Sequence, residues 1–339
     1  MARSYPYPSS TRILLRAARG LPIRARVLDR GTGYLLELVR GRRRRLVYQH
    51  ILPLNSLAAA RIAGDKAHTR ALLARAGFKV PEGQVFFRRG FFRKVDYARG
   101  RDLAAARRYA RRLGYPVYVK PNSLSQGIGV RRVHGPAELD AAARAIFELP
   151  TEREFAFVVE RPIAGIELRL LVLDGELLLA LRRDPPQVIG DGRRTMQALI
   201  AAFRRQGRAR ALVPLDRNQL GRCLRAQDLT LRSVLRRGQR AVLDDTAANL
   251  SRGATAKLLE PAALGAGATR WAGAVAKLLD LRYAGIDLKI PSLSAPMSAA
   301  TLLEVNSAPG LSRLYELGHR RAVVRIVQRL LRAALERGR

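Results

Sequence analysis

Short apolar segments separated by turn residues dominate the N-terminal part of the chain. The segments 24–30, 34–39 and 45–51 flank glycine-containing turns at 31–33 and at Gly41. Apolar runs of this length between turn signals are typical of strands. The pattern therefore predicts a small antiparallel sheet at the start of the protein.

The rest of the chain mixes helical and strand patterns. Residues 57–77 have the spacing of a helix, with a break at Gly64-Asp65 and an end at Gly77. Further helices are predicted at 102–113, 136–148, 196–206, 271–281 and 319–337. Strands are predicted at 117–120, 131–135, 155–160, 168–174, 176–183, 284–290 and 301–306. This order predicts a fold of the α+β or α/β class.

Two local features refine this organisation. Asp174-Gly175 stands between two predicted strands and is a signal for a tight hairpin. Residues 207–250 are rich in arginine and weakly periodic, and we interpret them as an insertion. No internal repeat is present in the sequence.

Composition excludes several classes of protein. Hydrophobic residues make up 48% of the 339 positions, so we expect a packed core rather than a disordered chain. No apolar run has the roughly 20 residues of a membrane span, and the N-terminus lacks an apolar signal core. Cys223 is the only cysteine, and the four histidines lack the spacing of metal ligands. We therefore expect a cytoplasmic protein without an intrachain disulfide or a cysteine-cluster metal site.

The net charge of +36 is the most unusual property of the composition. A positive field of this size attracts nucleic acid, acidic membranes or acidic substrates. Only seven of the 63 basic residues are lysines, and enrichment in arginine and alanine also arises from a biased genome. We interpret the basic run at 41–45 as a solvated turn rather than a nucleic-acid site. Whether the charge has a function stays open at this point.

One lysine lies where phosphate chemistry would use it. Lys120 ends the predicted strand 117–120, and Gly127 and Gly129 follow in a polar loop. Lysine is a compact point charge, and a glycine-rich backbone approaches phosphate oxygens closely. Since the loop matches neither of the common nucleotide-binding glycine motifs, an ordinary strand followed by a turn is the better explanation without further context.

Three oxygen-bearing side chains form a second candidate set. Asp287 lies in a predicted strand, and Glu304 and Asn306 are two residues apart in another, so these two share a strand face. Hard oxygen ligands on neighbouring strands suit Mg²⁺. Apolar neighbours indicate central strands, where unpaired acids are costly without a cation. A surface charge and a polar strand end are the simpler alternatives.

In this order, the motifs resemble those of ATP-grasp ligases, and in detail the ATP-grasp part of cyanophycin synthetase. The resemblance extends over about residues 55–318 and rests on five stretches, AGDKAHTRALLARAGFKVPEG (63–83), YPVYVKPNSLSQGIGV (115–130), FVVERPIAGIELRLLVLDGELLLALRRDPPQVIGDGRRTMQALI (157–200), NLSRGATA (249–256) and YAGIDLKI with LLEVNSAPGL (283–311). It implies two α+β lobes that grip ATP, preceded by a short β-rich segment. The implied domains are 1–56, 57–153 with a lid loop, and 154–339 with an insertion at about 204–250.

The resemblance also implies a role for each matching residue. Lys66 and Lys120 would contact ATP phosphates, and Arg182 would approach the phosphate or acyl phosphate. The lid over the γ-phosphate would consist of Ser125, Gln126, Gly127 and Gly129. The adenine and ribose contacts would be Glu160, Arg161, Ile163 and Glu167. The Mg²⁺ ligands would be Asp287, Glu304 and Asn306, with two ions expected and Mn²⁺ as an alternative.

The implied activity is an ADP-forming carboxylate–amine ligase that works through an acyl phosphate, and the positive charge favours an acidic amino acid or peptide. The lid lacks the aspartate, asparagine and histidine common in cyanophycin synthetases, and Asp245 stands where that family tends to have arginine. The chain ends near the end of the ATP-grasp unit, so we do not expect it to make an aspartate–arginine polymer alone.

Two alternatives remain beside this interpretation. One is a ligase that extends a protein or peptide terminus, like the ribosomal-protein glutamate ligases. The other is an inactive nucleic-acid- or ribosome-binding protein on an ATP-grasp scaffold. A nucleic-acid partner is not favoured, no membrane partner is expected, and a homo-oligomer stays open.

Overall fold

The computed structural model describes residues 7–90, 99–125, 127–149, 155–209, 215–246, 248–265 and 267–336. Its α-helices are α1 (Ser9–Ala18), α2 (Leu57–Gly64), α3 (Lys66–Arg75), α4 (Leu103–Leu113), α5 (Pro136–Phe147), α6 (Met196–Ala209), α7 (Arg217–Arg225), α8 (Ala268–Leu278), α9 (Ser312–Glu316) and α10 (Arg320–Leu335). Its strands are β1 (Arg24–Val27), β2 (Leu35–Arg40), β3 (Arg43–Tyr48), β4 (Gly83–Phe87), β5 (Val117–Pro121), β6 (Arg131–Val133), β7 (Ala156–Glu160), β8 (Ile166–Leu173), β9 (Glu176–Asp184), β10 (Gln187–Ile189), β11 (Arg240–Val242), β12 (Thr255–Leu259), β13 (Tyr283–Ile290) and β14 (Thr301–Asn306).

The central sheet has five antiparallel strands in the order β12-β9-β8-β13-β14. Its middle is the β8–β9 hairpin, and Asp174 and Gly175 turn there with φ of 49° and 83°. An Asp-Gly pair adopts these positive φ values at low cost, and the resulting turn matches the twist of the strands. The predicted hairpin is therefore confirmed.

Helices and a smaller sheet cover the two faces of the central sheet. Residues such as Leu168, Leu170 and Ile286 face α8 and α2 in one apolar cluster. On the other face, Leu171 and Leu181 belong to a cluster shared with α1, α10 and the β1-β2-β3 sheet. Helices α1 and α10, the first and last helices of the described ranges, therefore pack together against one face of the sheet.

The N-terminal segment contains the predicted three-stranded sheet and also a helix that the sequence pattern did not predict. Helix α1 is amphipathic, and its Ile13, Leu14 and Ala17 are buried against α10 and the small sheet. The buried hydroxyl of Thr11 donates to the Gly33 carbonyl oxygen at 2.6 Å. A short basic helix of this kind is stabilised by tertiary packing rather than by its own propensity.

The second large sheet has four antiparallel strands in the order β4-β7-β5-β6. Helices α4 and α5 cover one face through residues such as Ala106, Leu139 and Ile146. Strand β7 pairs with β4 and β5, so this sheet crosses the domain boundary predicted at 153. The predicted return strand after the glycine loop is β6, which pairs with β5.

The arginine-rich segment packs with residues that precede it. Helices α6 and α7 and the β10–β11 pair share a small core that includes Val188, Met196, Leu220 and Ala241. The unit therefore begins before residue 204, where the sequence places the insertion. Helix α7 was not predicted, because arginines occupy most of its exposed positions and hide its apolar stripe. No helix in the described ranges is long and apolar enough to cross a membrane.

Candidate active site

Polar residues at the ends of the two large sheets face one another. On the four-stranded sheet, Lys120 forms an ion pair with the buried Glu160 on the neighbouring strand β7. The ammonium of Lys120 also lies over the ring of Tyr118, 5.1 Å from its centroid. The ion pair with a buried carboxylate fixes the half-buried lysine near the strand end, as a phosphate contact requires.

Lys66 connects the two sheets from the first turn of α3. Asp65 caps this helix, and the Lys66 backbone N–H donates to the Asn122 carbonyl oxygen at 3.0 Å. Its ammonium donates to the Leu124 carbonyl oxygen and lies 3.8 Å from a Glu304 carboxylate oxygen on β14. Lys66 is therefore held between the start of the loop after β5 and the acidic strand.

The predicted lid loop lies between β5 and β6. Gly127 and Gly129 have φ of 72° and 69°, a conformation that L side chains rarely adopt. A Cβ at Gly129 would lie 2.8 Å from the Pro121 ring, so glycine is also needed there for space. The carbonyl oxygen of Ser125 accepts from the Ile128 N–H at 3.2 Å. Gln126, the remaining predicted lid residue, lies outside the described residues.

The structure places Asp287 directly opposite Glu304 on β13 and β14, and Asn306 lies on the same face. Asp287 is 6% exposed and accepts a two-point contact from Arg169 at 2.7 and 2.6 Å, with Arg183 at 3.2 Å. Burial alone would raise the pKa of Asp287, but the two guanidinium groups lower it below its ordinary value. The charge of this buried acid is therefore balanced by two arginines of neighbouring strands.

The pairing of β8 with β9 places Arg183, rather than Arg182, beside Asp287 and Glu167. After the hairpin turn, an unbroken register would pair Glu167 with Arg182, but the irregularity between Leu171 and Val172 pairs Glu167 with Arg183. Arg183 therefore lies on the site face, 2.6 Å from Glu167, whereas Arg182 points to the opposite face and pairs with Asp184. The prediction that Arg182 belongs with the other site residues does not agree with this geometry.

The segment that joins the two sheets contains the predicted adenine contacts. Arg161 donates its backbone N–H to the Glu82 carbonyl oxygen and pairs its exposed side chain with the Glu82 carboxylate, and its own carbonyl oxygen takes part in neither contact. The carbonyl oxygen of Ile163 accepts from the Lys289 ammonium at 2.9 Å. Burial lowers the pKa of Lys289, and nearby Glu167 partly offsets that effect.

Sequence reasoning missed three members of the site. Arg169, Arg183 and Lys289 lie on the same sheet face as Asp287, at alternate positions of their strands. For Arg169 and Lys289 the signal was available, because each is two residues from a predicted site residue on the same strand. Arg183 depends on the irregular register and had no such signal.

The residues present fit a magnesium ion that is shared with a phosphate ligand. Asp287, Glu304 and Asn306 all offer oxygen donors, and the Asn306 amide nitrogen is buried without a hydrogen-bond partner in the described part of the chain. Within that part, no cluster of three or more His, Cys, Asp and Glu side chains could hold a metal ion alone. Ligand oxygens would therefore have to complete the coordination.

Comparisons with known proteins find relatives over most of this chain. The family described as D-ala D-ala ligase C-terminus matches residues 72–189. A cyanophycin synthetase from Geminocystis herdmanii is 32% identical over 263 residues, which are 74% of this chain and 28% of that protein. A glutathione biosynthesis bifunctional protein from Mannheimia succiniciproducens is 30% identical over 271 residues, 73% of this chain and 32% of that protein.

The fold gives the same result. The crystal structure of a bifunctional glutathione synthetase from Pasteurella multocida superposes with a TM-score of 0.56 at 24% identity, covering 89% of this chain and 40% of that one. The chain spans about a third of the length of the curated relatives it matches. Motifs, relatives and fold agree, and the chain belongs to the ATP-grasp superfamily of ligases.

Proposed function

We propose that this protein is an ATP-dependent, ADP-forming ligase that joins a carboxylate to an amine. One observation carries the proposal. Only seven of the 63 basic residues are lysines, yet Lys66, Lys120 and Lys289 lie together between the two large sheets. An ammonium group beside a glycine loop binds the phosphates of a nucleotide as a compact point charge, because the loop backbone can approach the phosphate oxygens closely.

The residue roles follow from these positions. Lys66 and Lys120 contact phosphate oxygens, and the loop of Ser125, Gln126, Gly127 and Gly129 closes over them. The linker between the sheets contacts adenine through the Arg161 carbonyl and the Ile163 backbone, while Glu160 holds Lys120 and Glu167 accepts from ribose hydroxyls. Arg183 replaces Arg182 as the arginine of the site, and its contacts with Glu167 and Asp287 make it a positioning residue.

Magnesium would be held by Asp287, Glu304 and Asn306 together with phosphate oxygens. A bound Mg²⁺ supplies charge neutralisation on the phosphates. Arg169 prepares Asp287 for this role, because its two-point contact fixes the carboxylate on the site face. Lys66, 3.8 Å from Glu304, places positive charge on the other side of the same group.

The proposed reaction has two steps. A substrate carboxylate attacks the γ-phosphorus, which gives an acyl phosphate and ADP, and an amine then displaces phosphate to form an amide. Such transfer depends on positioning and on charge stabilisation rather than on a protein nucleophile. The lysines stabilise the negative charge that shifts to the leaving oxygen, and the lid keeps water from the acyl phosphate.

The substrate class is proposed from charge. A chain with a net charge of +36 gathers acidic molecules, so we expect an acidic amino acid or peptide as one of the two substrates. The cytoplasm, where ATP is supplied, is the compartment in which we expect the reaction.

The test is ADP release from Mg²⁺-ATP across a panel of carboxylates combined with amines. We expect release that requires both a carboxylate and an amine and that is fastest with acidic pairs. A folded protein that binds ATP but releases no ADP with any pair would contradict the proposal. Tight RNA binding without turnover would favour the inactive nucleic-acid-binding alternative.

A further inference from the structure

A second cavity lies outside the cleft between the sheets. It has a volume of about 600 Å³ and opens between the β5–β6 lid hairpin, helix α5 and the start of helix α7. Its charged lining residues are Arg131, Arg132, Arg222, Arg252, Glu138 and Asp216. Four guanidinium groups therefore face two carboxylates across a space large enough for a short peptide segment.

Both lining carboxylates are already engaged. Asp216 caps α7 by accepting from the Gln219 N–H at 2.9 Å. Glu138 accepts from the His134 N–H at 3.2 Å and lies 3.7 Å from Arg222. Four guanidinium groups outnumber these two engaged carboxylates, so the lining has a net positive charge and favours an anion.

The guanidinium groups differ in their pairing. Arg252 and Arg132 are held by Asp244 and Asp245, but neither of these aspartates lines the cavity. Arg131 makes no ion pair with any residue that the structure describes. Asp244 and Asp245 thus lie outside the cavity lining, whereas the two arginines that they hold are part of it.

Arg132 contributes an unused donor. Its Nε is buried and has no hydrogen-bond partner in the described ranges. A buried donor without a partner costs free energy, so the Arg132 guanidinium is not fully satisfied by its pair with Asp245. A carboxylate oxygen is an acceptor of the charge that suits this site.

Tyr118 connects Asp245, the partner of the cavity-lining Arg132, to the proposed phosphate site. The hydroxyl of Tyr118 donates to the Asp245 carbonyl oxygen at 3.0 Å, and its ring lies under the ammonium of Lys120. Gly129 of the lid loop also lines the cavity. A ligand bound there would therefore lie beside the lid and close to the proposed reaction centre.

We propose that this arginine-lined cavity binds the side-chain carboxylates of an acidic peptide that serves as substrate of the ligase. That the peptide is a substrate rests on the proposed function. That the peptide binds in the cavity does not, because binding can be measured without turnover. Arg131 and Arg222 provide the accessible charge, and Arg132 and Arg252 are fixed by the aspartates that pair with them.

The experiment compares triglutamate, trialanine and trilysine by isothermal titration calorimetry on the full chain. Wild type should bind triglutamate best. The double variant Arg131→Gln/Arg222→Gln should raise the Kd for triglutamate about tenfold or more, because each guanidinium–carboxylate contact is charge-assisted. If the double variant does not fold, the single variant Arg131→Gln, at an exposed position, replaces it in the same titration.

The matched control is Arg108→Gln/Arg111→Gln, which removes the same charge from exposed positions of α4. We expect its Kd for triglutamate to stay within about twofold of wild type, because exposed charges at a distance are screened. Equal weakening in both double variants would assign the binding to the general field and overturn the proposal. The proposal is also overturned if triglutamate binds no more tightly than trialanine. It is overturned as well if a short RNA binds more tightly than triglutamate and loses affinity in the cavity double variant.

Two failures are distinguishable. If the protein releases ADP with neutral substrates but the cavity variants leave triglutamate binding unchanged, the cavity proposal is wrong and the ligase stands. If triglutamate binds in the cavity but no substrate pair gives ADP, the cavity still binds acidic peptides and the ligase proposal is wrong.

Discussion

Two halves of one face of the central sheet have opposite chemistry. In the half near the hairpin turn, Leu171 and Leu181 are buried beneath the N-terminal sheet and α10. Two residues further along the same strands, Arg169 and Arg183 surround Asp287. Alternate residues of a strand share a face, so the apolar core and the charged site lie on one continuous surface of the sheet. The two halves differ in the elements packed above them. The charged residues Arg169 and Arg183 lie outside the apolar cluster that contains the N-terminal sheet and α10.

The largest expected effect comes from removing the acid at the centre of the charged half. Asp287→Ala leaves Arg169 and Arg183 buried with no shared carboxylate, which we expect to cost about 3–5 kcal/mol of unfolding free energy. Urea denaturation followed by circular dichroism measures it. Glu82→Ala, which breaks the exposed pair with Arg161, is the control and should cost less than about 1 kcal/mol. Equal losses would mean that the charged half is solvated like the surface.

A matching change in the apolar half should affect stability without affecting the site. Leu171→Ala removes a fully buried side chain, and we expect a loss of about 2–5 kcal/mol from transfer and cavity terms. ADP release per folded molecule should stay near wild type. A large fall in that rate at full folding would show that the two halves are coupled.

A substitution of Lys120 tests the part of the proposed site that lies on the four-stranded sheet. Lys120→Met removes one charged contact to phosphate, and we expect a loss of about 2–4 kcal/mol in transition-state stabilisation, seen in kcat/KM for ADP release. Because the change leaves Glu160 buried and unpaired, the double variant Lys120→Met/Glu160→Gln checks that misfolding is not the cause. Lys277→Met, an exposed change on α8, is the control for loss of a lysine. Unchanged ADP release in folded Lys120→Met would remove this residue from the site.

The irregular register predicts a difference between two adjacent arginines. Arg183→Gln removes a buried contact with Glu167 and Asp287, and we expect a loss of about 1–3 kcal/mol in stability together with a higher KM for ATP. Arg182→Gln, on the opposite face and partly exposed, should change stability by less than about 1 kcal/mol and leave that KM near wild type. The reverse order of effects would contradict the placement of Arg183 on the site face.

The smallest expected effect is on acid stability. The pKa of Asp287 is lowered in the folded protein, so its contribution is fully present above the ordinary value of 3.8 and is lost as the pH falls through the folded value. Urea denaturation between pH 5 and pH 2 should show a shallower decrease for Asp287→Asn than for wild type, by at most about 1.4 kcal/mol per pH unit. Parallel curves for the two proteins would mean that Asp287 does not titrate differently on folding.

Local sequence predicted most of the elements. Helix and strand periods, the Asp174-Gly175 turn, the break at Asp65 and the stop at Gly77 depend on residues close in the chain, and the structure confirms each of them. The order of motifs also predicted the ATP-grasp fold and superfamily, which the comparisons confirm. The roles of the individual site residues stay predictions.

Tertiary structure alone decided how those elements meet. The irregularity between Leu171 and Val172 shifts one strand past the other and exchanges Arg182 for Arg183 on the site face, and a period-two pattern cannot specify such a shift. The neutralisation of Asp287 by Arg169 needs pairing across 118 residues of chain. Helix α1 and the arginine-lined cavity likewise depend on partners distant in sequence. Hydrophobic and polar patterns fix local geometry through short-range sterics, whereas register, burial and ion pairing are set by the contacts that folding brings together.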